Sequence, residues 1–160
     1  MLEQDTFRYD TEFTGTSLRL VIWRTTLDLV QRHGAWSTGL GPGESQAALS
    51  NAYRDSGMYV GNPNFGDKGY WGYNVHNQYL QLLIDIGLGG AILFLLWLVL
   101  LAIIAVRGNN EILLTLVILF AGFSLTESTL EQQRGFMLFT FYGIALIQSM
   151  QNRDLSEQLN

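Results

Sequence analysis

The side chain in this sequence best suited to chemistry is His76, because an imidazole titrates near neutral pH and can take a proton as a general base. It stands where a polar, glycine-punctuated stretch passes through Asn77-Gln78-Tyr79-Leu80 into an apolar one. The plainer alternative is a histidine at a helix start, bonded to a loop. Arg19 and Arg24 each offer a guanidinium fork matched to phosphate oxygens. Trp23, four residues from Arg19, would explain that arginine equally well through a cation–π contact. Asp85 lies nine residues beyond His76, on the opposite side of a helix, which excludes a His76–Asp85 pair within one helix. Glu127, Glu131 and Arg134 share a short polar turn and are expected to pair with one another in solvent. His33 reads as a favourable charge at a helix C-terminus. With two histidines far apart and no cysteine, neither a transition-metal site nor a disulfide framework is expected.

The elements that must hold these groups follow from the apolar pattern. From Gly87 to Val106 the chain carries no charge over 20 residues. At about 1.5 Å per residue this reaches across about 30 Å, the hydrocarbon thickness of a bilayer. At about 100° per residue, His76, Leu80, Leu83, Gly87 and Gly90 fall on one stripe of a continuous helix. Glycines on such a face let a neighbouring helix come close, so Gly87 and Gly90 are expected to be helix-packing positions. Upstream, Thr16 or Ser17 is a candidate N-cap for an amphipathic helix over about 17–33, with Gly34 as its stop. Its stripe is Leu18, Ile22, Thr25 and Leu29, and its arginines and tryptophan suit a membrane interface as well as a core.

Gly39-Leu40-Gly41-Pro42-Gly43 reads as a turn. It lacks the Gly-Lys-Ser/Thr ending of a phosphate-binding P-loop. Residues 51–75 read as an irregular loop, with Tyr70, Trp71, Tyr73 and Tyr79 gathered as aromatics are at a membrane boundary. Two further apolar runs, Ile112–Thr126 and Gly135–Met150, are shorter than a full span and must borrow polar flanking turns. The expected architecture is all-α and polytopic. It comprises a loop-rich segment 1–77, membrane helices at about 78–106, 111–127 and 134–150, and a tail 151–160.

Composition sets the remaining bounds. The net charge of −5 gives no basic face for nucleic acid. The first residues, Met1-Leu2-Glu3-Gln4-Asp5, lack the basic and apolar regions of a signal peptide, so the chain reads as the later part of a multi-span protein. The two short turns carry one basic residue each, Arg107 and Arg134, so charge alone does not orient the helices.

Four segments together resemble the C-terminal part of the O-antigen ligase/polymerase superfamily of bacterial inner-membrane glycosyltransferases. They are Ser17-Leu18-Arg19-Leu20-Val21-Ile22-Trp23, the glycine turn at 39–43, His76-Asn77 followed after nine residues by Gly87-x-x-Gly90, and Glu127-Ser128 through Gln133-Arg134-Gly135. The resemblance implies transfer of a polysaccharide from undecaprenyl diphosphate to a hydroxyl of lipid A–core or of another glycan, without nucleotide, metal or other cofactor. Arg19 would hold the donor diphosphate and His76 would orient or deprotonate the acceptor hydroxyl. Arg24, Asn77 and Trp23 would bind substrate. The resemblance also implies an inner-membrane, multi-pass location with the long loop 1–77 in the periplasm and 107–110 in the cytoplasm. Membrane lipids and the earlier helices of the same protein would be its partners. The Glu127–Gly135 segment favours ligase over polymerase, while a membrane transporter and a non-catalytic fragment are the rivals from other classes.

Overall fold

The computed structural model describes residues 6–8, 11 and 13–131, together with 133, 135, 137, 140, 143, 144 and 148. The described chain is helical and holds no strand. Four helices follow in order: α1 (Gly15–Arg32), α2 (Pro42–Asp55), α3 (Gln78–Arg107) and α4 (Glu111–Phe123), with a 3₁₀ turn at Pro63–Phe65. The expected third membrane helix (134–150) and the tail (151–160) lie outside the described residues, apart from six positions, 135, 137, 140, 143, 144 and 148, all helical.

Local chemistry explains the helix starts. Thr14, Asn77 and Asn110 each accept a hydrogen bond from the backbone N–H three residues on, which caps α1, α3 and α4. α1 thus begins at Gly15, two residues before its expected start, and Gly34 follows its C-cap at φ 59°. α2 was not expected. Pro42 sits at its first position, where the missing N–H costs nothing, after Gly41 at φ 93°. The Gly-Pro pair that reads as a turn is therefore also a helix start. Serines hide the pattern further, because the buried face of α2 is Ser45, Leu49, Ser50 and Tyr53.

Two cores divide the molecule. The first joins α1, α2, the following loop and the beginning of α3, through Ile22, Val30, Leu49, Tyr53, Val75 and Ile84. The second joins the rest of α3 to α4, through Phe94, Leu98, Leu113, Val117 and Phe120. The boundary is Gly87, at φ 79° and ψ −173°, where α3 leaves helical dihedrals. The expected unbroken helix over 78–106 is therefore two helical pieces. The loop between α1 and α2 fills the break. Leu40 N–H donates to Ile84 O (2.7 Å), Gly41 N–H to Asp85 O (2.9 Å) and Leu88 N–H to Trp36 O (2.7 Å). Backbone groups that the break would otherwise strand are thereby satisfied.

α3 is the one described helix long and apolar enough to cross a membrane, and only 22% of its most apolar stretch is buried. A core helix of a water-soluble protein would bury that surface. Here Ile92, Leu93, Leu96, Val99 and Leu100 are half or more exposed. α4 is also apolar, but it ends at Phe123, short of the expected 127, and residues 124–131 form turns.

Candidate active site

His76 does not belong to a helix. Asn77 is the N-cap of α3, and His76 precedes it at φ 50°, a left-handed conformation rarely adopted by residues other than glycine. The stripe that would have aimed His76 along α3 toward Gly87 is therefore absent, for two reasons: the histidine lies outside the helix and the helix breaks at Gly87. Five hydrogen bonds hold the histidine's backbone neighbourhood instead. Asn74 Oδ1 accepts from His76 N–H (3.1 Å), Val75 O accepts from Trp23 Nε1 (3.1 Å) and Gln81 Oε1 accepts from Val75 N–H (3.1 Å). Asn77 Nδ2 donates to Leu125 O (3.0 Å), and Gln78 N–H to Ser124 O (2.8 Å). A strained residue persists only where its surroundings over-determine it, and such residues gather at functional sites.

The ring of His76 meets Glu127. Nδ1 lies 3.2 Å from Glu127 Oε2, while the other carboxylate oxygen, Oε1, accepts from Arg19 Nη2 at 2.7 Å. The three side chains are 27%, 20% and 34% exposed (His76, Glu127 and Arg19), so the cluster is lined by protein yet open to a ligand. Arg19 Nε is buried and has no hydrogen-bond partner. A buried donor of this kind is costly to leave unpaired. Tyr73 packs edge-on against the His76 ring, with centroids 5.7 Å apart. Asn74 Nδ2 donates to Glu131 Oε2 (2.9 Å), and burial raises the Glu131 carboxyl above its ordinary value, partly offset by that hydrogen bond.

Arg19 and His76, singled out separately in the sequence, thus meet on one carboxylate. The sequence reads that carboxylate as solvated within its own turn. Among the described residues, Glu127 reaches Arg19 on α1 and His76, and Glu131 reaches Asn74 before α3; Arg134, their expected partner, lies outside the described residues. Trp23 donates its N–H to Val75 O. Asn77 is buried, capping α3 and tying it to Leu125. Arg24 stands elsewhere, 3.7 Å from Asp28 and on the wall of a cavity between α1 and α2.

Gly87 is a close-approach glycine, but the neighbour is a loop. An added Cβ would sit 2.4 Å from Ser37 C and O. At Gly90 the nearest atom is Ile86 Cδ1, within the same helix. Asp85 caps the junction by accepting hydrogen bonds from Ser45 Oγ and from Gln81 Nε2 (3.0 Å).

Among the described residues, the protein is helical, with one helix long and apolar enough to cross a membrane and an Arg–Glu–His cluster that includes the residue just before that helix's N-cap. Residues 3–95, over half of the chain, match the family model described as O-antigen ligase, and the chain belongs to that family. No curated protein and no solved structure matches it. The matched stretch contains Arg19, His76 and the break at Gly87. Glu127 lies beyond it, and only the fold brings that residue to the other two.

Proposed function

We propose that this chain forms the periplasmic catalytic face of an O-antigen ligase, transferring a polysaccharide from undecaprenyl diphosphate to a hydroxyl of lipid A–core. The supporting observation is that Glu127 holds Arg19 and His76 together, while Arg19 retains a buried, unpaired Nε donor. Glu127 accepts from Nδ1–H of His76, which fixes the tautomer and leaves Nε2 as the proton acceptor. The acceptor oxygen attacks the anomeric carbon of the donor sugar, and its proton passes to Nε2. The bond from that carbon to the diphosphate oxygen breaks, and the electron pair leaves with the diphosphate. Arg19, whose side chain is about one-third exposed, donates from the accessible end of its guanidinium to a phosphate oxygen as charge develops there. Trp23 and Asn77 keep the strained His76 backbone in register, and neither contacts the reacting atoms.

The setting proposed for this chemistry is the bacterial inner membrane, with α3 from Gly87 onward and α4 as spans. The earlier helices of the same protein would complete the site. Polymerase of the same superfamily is the alternative reading. Complementation of a strain lacking its own ligase tests this reading, with lipopolysaccharide size on a gel as readout. The intact gene should restore polysaccharide-bearing lipid A–core, and His76→Ala should not. Longer lipid-linked chains without ligation would mark a polymerase instead.

A further inference from the structure

Away from the Arg19–Glu127–His76 cluster, a half-open cleft of about 450 Å³ lies between α1 and α2, within the range of small-molecule sites, about 300–1,000 Å³. Arg24, Asp28 and Arg32 line it from α1, and Asn51 and Asp55 line it from α2. We propose that this cavity is a glycan subsite, taking uncharged sugar residues of one of the two transfer partners. This rests on the glycosyl-transfer reading above.

The described lining mixes charges of both signs, Arg24 and Arg32 with Asp28 and Asp55, rather than presenting a field of one sign. A sugar hydroxyl both donates and accepts. Pairs of hydroxyls on neighbouring carbons match side chains that carry two acceptors (Asp28, Asp55), several donors (Arg24, Arg32) or one of each (Asn51). Val21 and Leu29 supply an apolar part of the wall, and Phe7 an aromatic one, against which the C–H faces of a sugar ring can lie. Arg24 and Asp28 stand 3.7 Å apart, both side chains partly exposed, where a ligand can reach them.

Position supports the assignment. Arg19 and Arg24 are five residues apart on one helix, so they face different sides, about 140° apart. Along the axis, the cavity side chains of α1 from Arg24 to Arg32 lie about 8 to 20 Å from Arg19. A glycan whose reacting end is at Arg19 and His76 can therefore continue around α1 toward α2. Its mixed polar and apolar wall, one helix face away from Arg19, suits sugar rather than the lipid diphosphate.

The test uses the intact membrane protein in detergent and the free oligosaccharide repeat unit released from the host's own surface polysaccharide. Isothermal titration should detect binding to the wild type, weakened about tenfold in Asn51→Ala and in Arg32→Ala, as for loss of one hydrogen bond to a polar or charged group. Both positions are exposed, so their removal should leave the fold intact, as read by circular dichroism. His76→Ala should bind the oligosaccharide as the wild type does. Transfer kinetics then identify the source of the sugar: a raised KM for the lipid-linked donor assigns the cavity to the donor glycan, and a raised KM for lipid A–core assigns it to the acceptor. Absence of oligosaccharide binding, equal affinity in wild type and both cavity variants, or unchanged KM for both partners overturns the proposal. A wild type that transfers nothing would sink the catalytic reading, while the titration would still decide the subsite.

Discussion

Glu127 is the residue on which the account turns, since it touches both an arginine 108 positions away and a histidine 51 positions away. Glu127→Gln keeps the shape but removes the charge, and an amide can present an N–H to the ring. It should lower kcat of the intact enzyme by about 10²-fold, with donor KM changed less, because the imidazole loses its fixed tautomer. Equal kcat in wild type and variant would mean that the carboxylate is only structural. Glu131 makes a pH prediction. Its carboxyl is raised by burial, so its contribution to stability is present below the unfolded value and is lost as pH rises through the folded one. The stability of Glu131→Gln relative to wild type should therefore increase as pH climbs from about 4 toward neutrality, measured by melting in detergent. His76 and Arg19 were legible in the sequence because each side chain is chemically distinctive. Glu127 was not, since a glutamate in a polar turn looks solvated until the fold brings its partners.

Among elements, the break in α3 couples the membrane-capable helix to the α1–α2 loop. Gly87→Ala must adopt φ 79° with its Cβ 2.4 Å from backbone atoms of Ser37. It should destabilise the protein by more than the roughly 1 kcal/mol of an ordinary glycine replacement, because the neighbour is backbone and cannot swing aside. A melting temperature equal to wild type would show that the loop and the helix are not in contact there. Asn77→Ala should cost about 1 kcal/mol through the lost cap, and more through the lost bond to Leu125 O. The helix starts at Thr14, Asn77 and Asn110 follow from side chains that accept from the third residue on, and the apolar run of α3 is plain. The break was hidden because glycine fits both a packed membrane helix and a left-handed backbone. α2 was hidden because serines occupy half its buried face.

At the scale of the whole molecule, two cores meet at Gly87: one buries polar and apolar groups as a water-soluble domain does, and the other leaves its outer apolar surface uncovered. If that surface faces lipid, Leu96→Arg should oppose insertion by about 2.5–3.5 kcal/mol and shift the protein out of the membrane fraction. On a water-facing helix the same change would be harmless, so unchanged fractionation would count against a span here. The cluster of Arg19, Glu127 and His76 lies on the polar side of this division, where a lipid-anchored diphosphate could present its sugar to water-exposed acceptors. The central claim is tested most directly by single-turnover transfer from a lipid-linked donor, using the purified intact enzyme. His76→Ala should slow the chemical step by about 10²–10⁴-fold with donor binding unchanged, and Arg19→Ala should slow it by about 10²–10³-fold while weakening donor binding. Wild-type single-turnover rates in both variants would contradict the account.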